Sequence, residues 1–335
     1  MRPATAERTR RRRLLAALAL AAFVASAPPA TAEGAWPAHA ITLIVPYGAG
    51  GNVDVMARWI GPELSTRLGQ PVIIENVSGA GGVIGTEKAV RARPDGYTLL
   101  LSVESTVVIA KMVTPSTVRY DGLADLVPVT LLGSQPLALV GKPAMQPKTT
   151  ETLYAELKSA PGKYSYASSG VGTSLHLGGE LLKQQGGVDV VHVPYRTGVQ
   201  IISDLSGNQL DLAVLPLSMV MQQARAGKLR VYGVMSDKPS AVMPEALPLA
   251  SVPAWRGANV SVWQGIFAPR GTPPQIVEQL NAALVQVLAN PGVRKNFEDG
   301  GVTPIGIGPK EFAAFLKTEE TKFGAIVTKG GIKAE

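Results

Sequence analysis

Three stretches of the sequence combine the residue types that bind anions without a charged side chain. They are Pro46-Tyr47-Gly48-Ala49-Gly50-Gly51, Ser168-Ser169-Gly170-Val171-Gly172-Thr173-Ser174 and Pro194-Tyr195-Arg196-Thr197-Gly198. Each follows a β-rich run and opens a helical pattern. A helix start leaves backbone N–H groups without internal partners and carries the positive end of the helix dipole. In an open α/β sheet, ligands bind at the C-terminal ends of strands, where these loops lie. The candidate ligand-binding residues are therefore Tyr47, Ala49, Gly50, Gly51 and Asn52 at the first loop. Ser169, Thr173, Ser174 and His176 follow at the second, and Tyr195, Thr197 and Gly198 at the third. Gly50 and Gly51 let backbone approach an anion closely, while Thr173 and Ser174 suit an N-cap as well as a ligand contact. Asp54 suits the first turn of a helix through the dipole, and Arg196 reads as solvent-facing.

Other chemistries find little support. With no cysteine in 335 residues, disulfides, thiol nucleophiles and thiolate metal sites are excluded together. His39, His176 and His192 lack metal-ligand spacing, so neither a metal nor a cofactor is expected. No G-x-S-x-G signals a nucleophile elbow, and no pair of acids suggests acid–base work, so catalytic residues are not assigned. The sharpest rival is an exported enzyme of Rossmann-like fold acting on a small acid or a nucleotide. Gly48-Ala49-Gly50 follows a strand and opens a helix, and Glu75 ends the next strand. The third glycine of that fingerprint is replaced by Val53, however, and a partial match is weak.

The elements that must position these loops alternate between short β-rich runs and helical patterns, which predicts an α/β protein with largely parallel sheets. Strands are expected at 41–45, 72–74, 97–101, 126–132 and 137–140. Helical spacing of Val55, Met56, Trp59, Ile60, Leu64 and Leu68 predicts a helix over 52–68. A Pro- and Lys-rich stretch, Lys142 to Thr150, suits a crossover into a second half. That half carries strands at 164–167, 188–193, 210–215 and 229–235 among its helices, and a strand at 260–268 returns. Two helices, 274–289 and 309–324, are expected to close the chain. The predicted domains are 33–142 with 259–335, and 143–258.

The front of the chain reads as an export signal. Six arginines from Arg2 to Arg13 precede the apolar run Leu14 to Val24, and Ala30-Thr31-Ala32 supplies a cleavage motif before Glu33. The run is too short to span a bilayer, which predicts a leader over 1–32 and a periplasmic mature protein. The leader's arginines and Glu7 account for +5 of the net charge of +7, leaving +2. A charge that small gives no nucleic-acid footprint, and a monomer is expected.

These stretches, in this order, resemble the solute-binding subunits of tripartite tricarboxylate transporters, the Bug receptors. The resemblance runs from Trp36-Pro37 through Val45–Gly51 with Asp54, Gly79-Ala80-Gly81-Gly82 and Pro94–Leu100. It continues through Tyr166-Ala167-Ser168, Gly172-Thr173-Ser174, Val191–Tyr195 and Phe267–Pro273. It implies a two-domain periplasmic-binding-protein fold of the type II, Venus-flytrap kind, with a ligand cleft between the domains. It also implies an organic acid ligand held mainly by main-chain N–H groups, and the membrane subunits of a transporter or a sensor kinase as partner. The chain departs from the family pattern at Ser102-Val103-Glu104-Ser105 and at Leu215-Pro216-Leu217. Ser102, Glu104 and Pro216 accordingly complete the candidate ligand-binding residues. A carboxylate at Glu104 would repel an acid unless paired or protonated. Either it points away from the ligand or it recognises a donor on it.

Overall fold

Residues 36–334 are described by a computed structural model. The predicted leader over 1–32 lies outside the described residues. Strand β1 (Ile41–Val45) is a continuous apolar run, and all of it except Thr42 is buried. It pairs in parallel with β2 (Val72–Asn76) and β3 (Thr98–Val103). Helix α1 (Asn52–Leu68) links β1 to β2 and buries Met56, Ala57, Ile60 and Leu64 completely. It ends at Gly69, whose φ of 66° is the left-handed cap that glycine adopts at little cost. The predicted helix and the observed one have the same limits.

Two long strands then break the parallel pattern. Strand β4 (Leu126–Gly141) is one 16-residue element, where the sequence suggested two. The intervening Gly133-Ser134-Gln135-Pro136 looks like a turn, but Gly133 is needed where Thr303 O and Val302 Cγ1 would both lie 2.8 Å from a Cβ. Strand β9 (Ser261–Pro269) runs antiparallel to both β3 and β4. Up to Pro136, β4 pairs with β9, and strand β10 (Thr303–Ile307) flanks it at Leu131–Ser134. From Leu137 onward it pairs instead with β7 (Leu212–Pro216) and β8 (Arg230–Val234), both antiparallel. Parallel pairing returns only where β5 (Ser165–Ser168) lies between β7 and β6 (Val191–Pro194).

The sheet is therefore mixed, which corrects the expectation of largely parallel strands. Parallel pairing is confined to the strand–helix–strand units at either end of the sheet. The change of partners is sewn by three backbone bonds: Leu137 N to Val260 O at 3.1 Å, Val260 N to Met235 O at 3.1 Å, and Met235 N to Leu137 O at 2.7 Å. These lie ahead of the predicted boundary at Lys142 and just after that at Ala258. From His39 on, the chain clusters as one unit, because β4 and β9 tie its halves together.

The end of the chain holds more than the two expected helices. Between the helices Pro274–Ala289 and Pro309–Gly330 lie a helix at Pro291–Asp299 and strand β10. Asn290 caps the added helix, accepting from Gly292 N at 2.8 Å, with Pro291 at its first position; that Asn-Pro pair was the sequence signal for it. The final helix runs on through Gly324 to a left-handed cap at Gly331. It packs Phe312 and Phe315 around the buried Trp263 of β9, whose Nε1 donates to Glu319 Oε2 at 3.1 Å.

Candidate functional site

The first loop is organised by Asp54. Its carboxylate, almost fully buried, accepts from Gly50 N at 2.8 Å, Arg58 Nε at 2.9 Å, Arg58 Nη2 at 3.0 Å and Asn76 Nδ2 at 2.9 Å. The Arg58 bonds foremost, helped by Gly50 and Asn76, hold its pKa down at about 2. Asp54 thus ties the loop, the helix start and the end of β2 together, a larger role than a dipole effect. Gly50 takes a φ of 79°, so glycine is required there. Gly51 has an ordinary φ of −71°, and a Cβ on it would meet only Gly48 O, at 3.2 Å.

The second loop depends on a histidine. Gly170 and Gly172 have φ of 125° and 78°. Thr173 caps helix α2 (Ser174–Gly186): its Oγ1 accepts from His176 N at 3.3 Å and donates to Gly170 O at 2.8 Å. The Nδ1 of His176 accepts from Gly172 N at 3.2 Å, which puts the proton of the neutral ring on Nε2. His192 lies against it with ring centroids 4.1 Å apart and bonds Ser168 Oγ through Nε2 at 2.8 Å. Burial lowers both imidazoles, His192 to about 4, so the pair is neutral and holds the loop in shape.

The third loop opens helix α3 (Gly198–Ser206), capped by Thr197 Oγ1 accepting from Gln200 N at 3.3 Å. Tyr195 donates its hydroxyl to Asp204 Oδ2 at 2.8 Å, and Arg196 is exposed.

These starts meet at one cavity of about 340 Å³. Among the predicted residues, Tyr47, Asn52, Glu104, Ser169, Thr173, Ser174, Gly198 and Pro216 line it. Ala49, Gly50, Gly51, Ser102, His176, Tyr195 and Thr197 do not. His176 shapes a loop, Thr197 caps a helix, Tyr195 is bonded to Asp204, and Ala49, Gly50 and Gly51 are exposed. Ser102 is buried against Thr106, with the two hydroxyls 2.5 Å apart. Sequence reasoning missed Val53, Gly81, Val103, Ser105, Leu175, Met219, Val262 and Gln264. Gly81 belongs to a glycine cluster visible in the sequence, and Gln264 is the one amide in the apolar run of β9.

Glu104 neither turns away from the cavity nor stands unpaired. It lines the cavity while Ser174 Oγ donates to its Oε1 at 2.7 Å and Trp263 N to its Oε2 at 3.1 Å. Burial pushes its pKa up to about 7 despite those bonds, with the Glu319 charge adding to the effect. Tyr47, beside it, is pushed above the usual phenol range by burial first and by Glu104 second. Among the described residues, no Lys, Arg or His lines the cavity and no group of acids or histidines could hold a metal ion. The arrangement can bind an anion through N–H groups and hydroxyls and can surround an apolar body with Val53, Leu175, Met219 and Val262.

Known proteins share this fold. Residues 56–332 match the family described as tripartite tricarboxylate transporter family receptor. The chain is similar to the protein BugT of Bordetella pertussis, 33% identical over 323 residues, covering 96% of this chain and 98% of the relative. It is similar to a solved periplasmic transporter, with 38% identity and a TM-score of 0.78 over 90% of this chain and 100% of the other. It also resembles malate-bound MatC of Rhodopseudomonas palustris, with 29% identity and a TM-score of 0.75 over 87% of this chain and 100% of that one. These neighbours are solute-binding receptors rather than enzymes, and the α/β fold is that of the two-domain periplasmic binding proteins.

Proposed function

The chain belongs to the tripartite tricarboxylate transporter receptors, a family of solute-binding proteins, and we propose that it captures one small organic acid per molecule in the cavity at its helix starts and catalyses no reaction. The observation that carries this reading is the convergence of three helix starts, at Asn52, Ser174 and Gly198, on a cavity that no cationic side chain among the described residues lines. First-turn N–H groups have no partner within their own helix, and a carboxylate satisfies them. MatC, which is similar to this chain, carries malate.

On this reading the mature protein begins near Glu33, works in the periplasm as a monomer, and delivers its ligand to transporter membrane subunits or to a sensor. The ligand contacts come from Tyr47, Asn52, Ser169, Thr173, Gly198 and Pro216, with Glu104 and Ser174 forming one corner. The lobes meet where β4 and β9 change partners, at Pro136–Leu137 and Val260–Ser261, rather than at Lys142 and Ala258.

A thermal-shift screen of mono-, di- and tricarboxylates and aromatic acids on the purified mature chain tests the reading, with native mass spectrometry to count bound ligand. A true ligand at about a hundred times its dissociation constant adds about 2.7 kcal/mol of stability. A flat response to acids, with nucleotides raising the melting temperature instead, would favour the Rossmann-like enzyme.

A further inference from the structure

One corner of the cavity is unlike the rest. Strand β3 ends at Val103, which lies opposite Gln264 of β9 in the register. The chain then turns into a helical segment, and Glu104 is drawn against β9 by Trp263 N. A carboxyl group and a primary amide thus share the corner, and both line the cavity. Glu104 is the only carboxylate among the described residues that do so.

The hydrogen-bonding state of the two side chains differs. Glu104 has close bonds from Ser174 and Trp263, one to each oxygen, and a longer one from Ser105 Oγ at 3.4 Å. An ionised carboxylate offers about four acceptor sites, so it retains acceptor capacity. Gln264 is 1% exposed, yet neither its Oε1 nor its Nε2 has a partner. Buried polar groups are nearly always bonded, and an unpaired one that gains a bond on binding adds affinity and specificity. The adjoining walls are apolar, with Val53, Leu175, Met219 and Val262.

We infer that Glu104 and Gln264 select the ligand: the cavity takes a monocarboxylate with an apolar body and an O–H or N–H donor at its far end, and rejects a second carboxylate there. The inference rests on the acid being held at the helix starts, as proposed above. The ligand's donor bonds Glu104, and Gln264 supplies the neighbouring donor and acceptor for the same group. A second carboxylate meets a like charge in a buried corner where no described residue lining the cavity offers a cation to offset it. Ligand class is therefore set by two residues outside the glycine loops.

Matched acids separate these effects. Calorimetry at about pH 8.5, where Glu104 is charged, would compare hexanoate, 6-hydroxyhexanoate and adipate, and likewise benzoate, 4-hydroxybenzoate and terephthalate. The wild type should bind the hydroxy acid at least about tenfold tighter than the plain acid or the diacid of the same series, the range for a hydrogen bond to a charged group. Glu104→Gln keeps both local bonds, because its amide oxygen accepts from Trp263 N while Ser174 Oγ reverses to accept from its NH2. In that variant the diacid should gain about tenfold on the hydroxy acid. Gln264→Met loses no bond within the protein and serves if Glu104→Gln fails to fold; it should bring the hydroxy acid down towards the plain acid. A diacid bound by the wild type as tightly as the hydroxy acid, or affinity ratios unmoved in both variants, overturns the inference and leaves the receptor reading standing. Absence of binding by every acid tried overturns both.

Discussion

Replacing Asp54 by Asn removes one charge and almost no volume at the point where the first loop is tied down. Four donors converge on the carboxylate: Gly50 N and Arg58 Nε on Oδ2, and Arg58 Nη2 and Asn76 Nδ2 on Oδ1. An amide at this position must turn its NH2 towards one of those pairs, so donors face donors whichever way it is flipped. The carboxylate is held at a pKa of about 2 against an ordinary 3.8. That difference corresponds to about 2.4 kcal/mol at neutral pH. Arg58 is more than half exposed, so solvent screens part of the pair. The two unmet buried bonds act in the opposite sense, because an unsatisfied donor costs about 1–3 kcal/mol.

Asp54→Asn should therefore destabilise the chain by about 2–4 kcal/mol. For a domain of this size that lowers the melting temperature by roughly 4–8 °C. The sign of the pH dependence follows from a depressed pKa. The stabilisation is fully present above 3.8 and is lost as pH falls through about 2. Between pH 7 and 3 the gap between wild type and variant should narrow by about 1 kcal/mol. Denaturant titrations of both proteins at those two pH values measure it. An unchanged melting temperature at pH 7, or a gap of constant size down to pH 3, would refute the argument.

Two further outcomes follow from buried groups. Glu104 has a folded-state pKa raised from 4.5 to about 7, so its ionisation opposes folding progressively as pH rises through that window, by up to about 3 kcal/mol; Glu104→Gln should be the more stable form above pH 7 and lose that advantage below pH 5 in calorimetric melts. A Cβ on Gly179 would stand 2.1 Å from Cε2 of Tyr166, a buried ring fixed through its hydroxyl to Glu180 Oε1 at 2.8 Å; Gly179→Ala should destabilise by about 3 kcal/mol or more in denaturant titration.

Much of this was legible in the sequence where one element carried its own signal. Helix α1 has six apolar residues at helical spacing and a glycine after it, and its limits were readable from both. Strand direction was not, because a buried strand reads the same whether its neighbour is parallel or antiparallel. Gly133 and Pro136 looked like a turn since the contact requiring the glycine comes from Thr303 and Val302, far along the chain. The same division holds at the cavity. Glycine loops and caps are local patterns, and Asn52, Ser169, Thr173, Ser174 and Gly198 were found through them. Whether a loop residue faces the cavity or supports it depends on tertiary packing, which is why Gly51 and His176 stand beside it and Gln264 within it. The partners of Glu104 come from Ser174 and Trp263, distant in sequence, and no spacing rule reaches them.

The change of partners along β4 bears on how this protein can be divided. A gene fragment covering only 143–258 would encode β5, β6, β7 and β8 but not the strand that joins β7 to β8. Its product would present unpaired N–H and C=O rows on two apolar strands, the template from which intermolecular sheets grow. The complementary piece would keep β4, β9 and β10, but β4 from Leu137 onward would lose its partners β7 and β8. In the intact chain β4 meets β9 only after more than a hundred residues have been synthesised between them. Translation therefore releases the first half with its central strand still waiting for a neighbour. A protein threaded in this way completes its sheet only when the whole chain is available, so its two ends must be inherited together.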